Sequence, residues 1–153
     1  MPTNILRSRP KPAAKPAGQP RAAGASQRVV LLTAGRVRIR IALLETATAE
    51  RIWRALPLYS TAETWGESVH FELPVESGRE RGARMIAEPG EVFYWSEDDR
   101  VVIGYGPTPI SGAGEIRLPR PCNLLARALD DVTVLRAVRP GEKVSLEAVQ
   151  GQG

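Results

Sequence analysis

One cysteine, Cys122, and one histidine, His70, are all that 153 residues offer toward redox or metal chemistry. A single thiol excludes an internal disulfide framework and any CxxC-type metal cage. A single imidazole removes most zinc and di-metal sites, so no cofactor or metal is expected. Long apolar runs are missing too: nowhere do 18 apolar residues follow one another, which excludes a membrane-spanning helix. A signal peptide needs a continuous apolar stretch after its basic start; the chain has none, and the cytoplasm is the expected compartment.

Acids are absent from the first 28 residues, which hold Arg7, Arg9, Lys11, Lys15, Arg21 and Arg28. The other 15 of the 21 basic residues face all 17 acids, a net of −2, so the overall charge of +4 belongs to this segment. It also carries Pro2, Pro10, Pro12, Pro16 and Pro20, with no aromatic residue and no apolar period. Such a composition cannot bury enough surface to offset chain entropy. Residues 1–28 are therefore predicted to be a disordered tail, 29–149 one folded domain, and 150–153 a short C-terminal tail. The faint acidity of the folded part argues against a specific nucleic-acid partner.

From Val29 the pattern becomes regular. Residues 29–33 form a short β run closed by Ala34-Gly35, after which Val37, Ile39, Ile41 and Leu43 alternate with Arg36, Arg38 and Arg40. Two such runs with a glycine turn between them read as a hairpin. The period then changes: Ala49, Ile52, Trp53 and Leu56 fall on one helical face, with Thr46 or Thr48 as cap and Pro57 as stop. Further strands are expected at 69–73, 85–88, 91–95, 100–105, 123–128 and 143–149, with a second short helix capped by Asp131 and ended by Pro140-Gly141. Eight short strands and two short helices favour a mainly β fold, a closed eight-stranded barrel. Trp53 is expected to cover one open end of it.

Chemistry-bearing groups are few. His70 falls on the polar face of its strand, where a solvated imidazole is the simplest reading, and nothing local orients it as a base. Glu97-Asp98-Asp99 lacks the ligand spacing and glycine of a calcium loop. The glycines from Gly104 to Gly114 lack the Gly-Lys-Ser/Thr ending of a phosphate loop. Cys122 reads as a buried structural thiol, since reactive thiols need an electropositive, accessible setting. Trp65, Tyr94, Trp95 and Tyr105 are either core rings or the lining of a ligand groove.

Three stretches carry a family likeness: Thr64-Trp65-Gly66-Glu67, then Glu88-Pro89-Gly90-Glu91-Val92-Phe93-Tyr94-Trp95, then Gly104-Tyr105-Gly106-Pro107-Thr108-Pro109-Ile110. With Pro140-Gly141-Glu142-Lys143-Val144 they make the chain resemble the short prokaryotic cyclophilin-like proteins of the cyclophilin superfamily. The resemblance implies an eight-stranded barrel capped by two helices and, in the wider superfamily, peptidyl-prolyl cis-trans isomerase activity. It also implies site residues, and here the chain departs from the pattern. Ile110 stands where the superfamily has tryptophan, Glu115 where it has histidine, Arg100 at the glutamine position and Val102 at the pocket floor. The strand matching the arginine-bearing one, around Val69-His70-Phe71-Glu72-Leu73, has no arginine. The resemblance thus implies a barrel face, built from Tyr94, Trp95, Arg100, Val102, Ile110, Glu115 and Arg120, that binds a peptide or small-molecule ligand with little or no isomerase activity. Two alternatives stay open: a weak isomerase with Arg100 as its cationic donor, and a different enzyme using Glu115 or His70 as a base. An apolar, proline-sized pocket beside Arg100 would favour isomerase chemistry. A polar pocket ringed by Arg100, Arg120 and Glu115 would favour a charged metabolite. The oligomeric state is left open.

Overall fold

The computed structural model describes residues 28–149, which form an antiparallel, nearly closed barrel with two short helices. The tail reading for residues 1–27 and 150–153 lies outside the described residues. Strand β1 (Arg28–Ala34) begins at the last residue of the expected tail and pairs with β2 (Val37–Leu43) from Arg28↔Leu43 to Ala34↔Val37. The hairpin turns at Gly35, whose φ of +60° is a conformation in which a Cβ would be strained. Alternation then buries Val30, Leu32, Ile39 and Ile41 inside and leaves Arg36, Arg38 and Arg40 in solvent.

Helix α1 (Ala47–Ala55) is capped by Thr46, whose hydroxyl accepts from the Ala49 amide at 3.1 Å. Ala49 and Ile52 are buried against the barrel. Trp53 is only half-buried: it packs on the edge of the core with the Arg28 guanidinium 5.4 Å from its ring centre. The cover over the barrel end is therefore made chiefly by the smaller residues of the helix.

The remaining strands are β3 (Leu58–Thr61), β4 (Glu63–Thr64), β5 (Ser68–Glu72), β6 (Arg84–Ala87), β7 (Glu91–Trp95), β8 (Arg100–Gly104), β9 (Ile116–Ala128) and β10 (Lys143–Ala148). Around the barrel they run β3-β10-β1-β2-β9-β7-β8-β5-β4, with β6 laid on β9. Among the described residues the count is ten rather than eight because the sequence pattern does not reveal β3 and β4. These two are halves of one segment that closes the barrel: β3 pairs with β10, and two residues later β4 pairs with β5 through Glu63↔His70 and Thr64↔Val69. Ala62, fully buried, is the corner between them. The expected strand at 123–128 is the second half of β9, and the expected one at 85–88 starts and ends one residue earlier. The second helix is a 3-10 helix, Val132–Ala137, with Asp131 accepting from the Thr133 amide.

Two apolar layers result. The main core fills the barrel, with Val69, Phe71, Val92, Tyr94, Val101 and Ile103 pointing inward from β5, β7 and β8. On the outer face of the same strands a second cluster forms from Ala87, Phe93, Val102, Ile116, Leu118 and Cys122, where β6 and the first half of β9 fold over the sheet. No helix in the described residues is long and apolar enough to cross a membrane.

Candidate functional site

The outer face of β5, β8 and β7 is left uncovered beyond the second cluster, and a cavity of about 200 Å³ lies there, lined by Trp65, Ser68, His70, Trp95, Val102 and Pro119. Strand register builds it. His70 stands opposite Val102, and two pairs further along, on the same face, Glu72 stands opposite Arg100, which in turn faces Trp95. All these side chains project away from the barrel interior because the alternate residues are committed to the core.

Trp65 reaches the cavity from the tight turn between β4 and β5. Its amide donates to the Ser68 carbonyl at 3.1 Å, and the Ser68 hydroxyl donates back to the Trp65 carbonyl at 2.6 Å. Gly66 permits that turn: its φ is +61°, and a Cβ there would sit 2.7 Å from Pro109 Cδ. The Tyr105 and Gly106 amides both donate to the Glu67 carbonyl, which pins the turn to the end of β8. The indole wall is thus fixed by backbone bonds on both sides.

At the rim, Arg100 is heavily engaged. Its Nε lies 2.7 Å from Asp98 Oδ2, and its Nη1 lies 3.4 Å from Glu63 Oε2 and 3.3 Å from His70 Nδ1. A guanidinium can only donate, so His70 Nδ1 accepts and the ring proton sits on Nε2. Burial, and then the Arg100 charge, push the imidazole below its ordinary value, and it is neutral at pH 7. On the other side of Arg100 lies a more polar cavity of about 290 Å³, lined by Ser60, Thr61, Glu63, Glu72, Leu73 and Pro74 together with Arg100.

Of the seven expected ligand-binding residues, Trp95 and Val102 line the apolar cavity and Arg100 stands at its rim. Tyr94 faces the opposite way, buried in the main core with its hydroxyl donating to the Val75 carbonyl. Ile110 is exposed on the loop before β9. Glu115 folds back on its own loop, where the Gly112 amide and the Arg117 guanidinium hold its carboxyl below the usual range. Arg120 is exposed and does not line the cavity. The pocket is apolar, not the ring of Arg100, Arg120 and Glu115 that a charged metabolite would call for. Trp65, one of the four aromatics weighed as core rings or groove lining, is in the wall, while Ser68, His70 and Pro119 enter it from elements whose polarity gave no sign of a shared wall. The strongest sequence signal was Val92-Phe93-Tyr94-Trp95 itself: four apolar residues in a row mark a strand covered on both faces.

Burial pushes the Cys122 thiol up to about 12, which leaves it inert at neutral pH. Among the described residues no three His, Cys, Asp or Glu side chains converge as metal ligands.

Comparison with known proteins agrees with this architecture. The sequence profile of the cyclophilin-like family matches residues 28–147. The chain belongs to the cyclophilin-like family. The cyclophilin-like barrel is also similar to the solution structure of a hypothetical protein from Archaeoglobus fulgidus, with a TM-score of 0.70 and 28% identity over 80% of this chain and 95% of that one. No curated protein matches the chain.

Proposed function

We propose that this cyclophilin-like barrel is a binding module that seats a small apolar ring or side chain, free or carried by a peptide, and performs little or no prolyl isomerisation. The observation that carries this reading is the cavity between Trp65 and Trp95, whose size of about 200 Å³ exceeds the roughly 150 Å³ in which a dry apolar site holds a benzene. Isomerase catalysis requires more: an interaction stronger in the twisted amide than in the planar one, against a rotation barrier of about 18–20 kcal/mol. The rim cation, Arg100, is already bound to Asp98, Glu63 and His70, and it would have to give up those partners to act as a donor.

Slow isomerase activity is the second reading, favoured by the fact that an apolar, ring-sized pocket does lie beside Arg100. One titration and one assay separate the two. Two of the chain's three tryptophans flank the cavity, so a short proline-containing peptide should change their emission saturably. Trp65→Ala should weaken that binding at least about tenfold, equivalent to about 1.4 kcal/mol. A flat titration with every apolar-ring ligand tried would remove the binding reading. In a prolyl-peptide assay we expect a rate far below that of ordinary cyclophilins. If slow turnover appears and Arg100→Ala abolishes it with the fold intact, the second reading replaces the first.

A further inference from the structure

Two cavities of opposite character share one outer sheet face. The apolar one lies where His70 stands opposite Val102, and the polar one, of about 290 Å³, lies where Glu72 stands opposite Arg100. On both β5 and β8 those levels are two residues apart, roughly 7 Å along a strand. Arg100 forms the wall between them, with one guanidinium nitrogen shared by His70 on the apolar side and Glu63 on the polar side. The polar cavity sits at the barrel seam, where the closing segment leaves β5 at Glu63 and turns to β10 at Thr61. There the Ser60 hydroxyl, donating to the Glu72 carbonyl, ties the two sides together. The two cavities are thus consecutive places along one strand direction.

Charge decides what the second cavity takes. Glu63 and Glu72 line it, and Arg100 is already shared by Glu63 and Asp98, so three carboxylates stand against one guanidinium. Glu72 is exposed and, among the described residues, pairs with no cation. The imidazole of His70 is neutral and adds no positive charge. A cationic side chain gains carboxylate acceptors there, whereas an anionic one meets a net negative field. The spacing selects the carrier: alternate residues of an extended chain face the same way and lie roughly 7 Å apart, the same step as the two cavities. Resting on the binding reading above, we infer that the site takes an extended peptide, with an apolar side chain in the Trp65–Trp95 cavity and a basic side chain two residues away at Glu63 and Glu72.

The test uses the full-length chain, its tryptophan emission and end-blocked tripeptides at low salt: Phe-Ala-Lys, Phe-Ala-norleucine and Phe-Ala-Glu, each also in reverse order. In one of the two orders the lysine peptide should bind at least about threefold more tightly than its norleucine counterpart, and by a wider margin than the glutamate one. Raising the salt to about 0.5 M should erase that gain. Glu72→Gln should erase it too, and Glu72→Lys should pass the advantage to the glutamate peptide. Equal affinity for lysine and norleucine in both orders would overturn the inference while the binding reading stood. A glutamate peptide held tightest by the unaltered protein would do the same and give the seam to Arg100. So would a lysine gain that survives both Glu72→Gln and high salt. If no peptide changes the emission, the binding reading falls and this inference with it, an outcome distinct from the other three.

Discussion

His70 shows how one residue's meaning depends on what its neighbours do with the same sheet face. The alternation of 68–72 places it outward, as the sequence implies, but outward here means beneath Trp65 and Trp95 instead of toward water. The covering rings arrive from a turn and from another strand, so no local pattern could announce them. Trp95 and Val102, by contrast, were legible, Trp95 as an aromatic at a strand end and Val102 through the position it takes in the family resemblance. The neutral state of His70 gives a pH dependence with a definite sign. Its folded value lies below the unfolded value of about 6.5, so the unfolded chain binds the proton more readily. Stability from this group is whole above pH 6.5 and is lost as pH falls through the lower, folded value. Asp98 and Glu63 oppose the shift but do not reverse it. The melting temperature should therefore fall between pH 7.5 and pH 5.5, with ligand affinity falling alongside as the imidazolium repels Arg100. His70→Gln should flatten that part of both profiles; an unchanged slope would assign it to other groups.

Among the elements, β2 was readable from its alternation, and β1, β7 and β8 as runs of consecutive apolar residues between turn or charged residues. The closing seam was not: β3 has four residues and β4 two, too few for any period to show. β9 hid for another reason, since Pro119 and Pro121 interrupt its first half, where they remove two ladder donors. Between β5 and β6 the chain makes a long irregular crossing, and a single buried side chain on β9 fastens its middle. Asn123 Oδ1 accepts from the Glu80 amide at 2.7 Å, while Nδ2 donates to the Gly78 carbonyl at 2.9 Å and to Thr48 Oγ1 at 3.0 Å. Thr48 in turn donates to Glu80 Oε2 at 2.6 Å, so helix α1, the crossing and β9 share one network. Asn123→Ala removes the buried partner of Thr48 Oγ1 and frees a partly buried amide at Glu80 and a carbonyl at Gly78, and should cost about 1–3 kcal/mol in chemical denaturation. Hydrogen exchange should rise first at residues 78–80. A loss below about 0.5 kcal/mol would mean that water replaces the amide without penalty.

At the scale of the whole molecule, barrel closure decides what the rest of the chain can contribute. β1 is paired on both sides, with β10 through Val30↔Ala148 and with β2 through Val30↔Ile41, and the seam segment satisfies the strands on either side of it. The first described strand therefore has no free edge on which preceding residues could add a strand. The main core is also filled from within residues 30–146. Against that, residues 1–27 bring five prolines, five basic groups and no aromatic ring, a composition with little apolar surface to bury and few donors for a ladder. We propose on these grounds that the folded domain needs nothing from them. Deleting residues 1–27 should leave the melting temperature within about 3 °C, since in a domain of about 120 residues a contribution of 1 kcal/mol moves it by roughly 4 °C. The cavity's ligand affinity should stay within about twofold. Any binding to polyanions that the full chain shows should disappear with the segment and, in the full chain, should weaken steeply with added salt, because it would rest on released counterions alone. A drop of 8 °C or more on deletion would show that the segment packs against the barrel and that the domain begins earlier than Arg28.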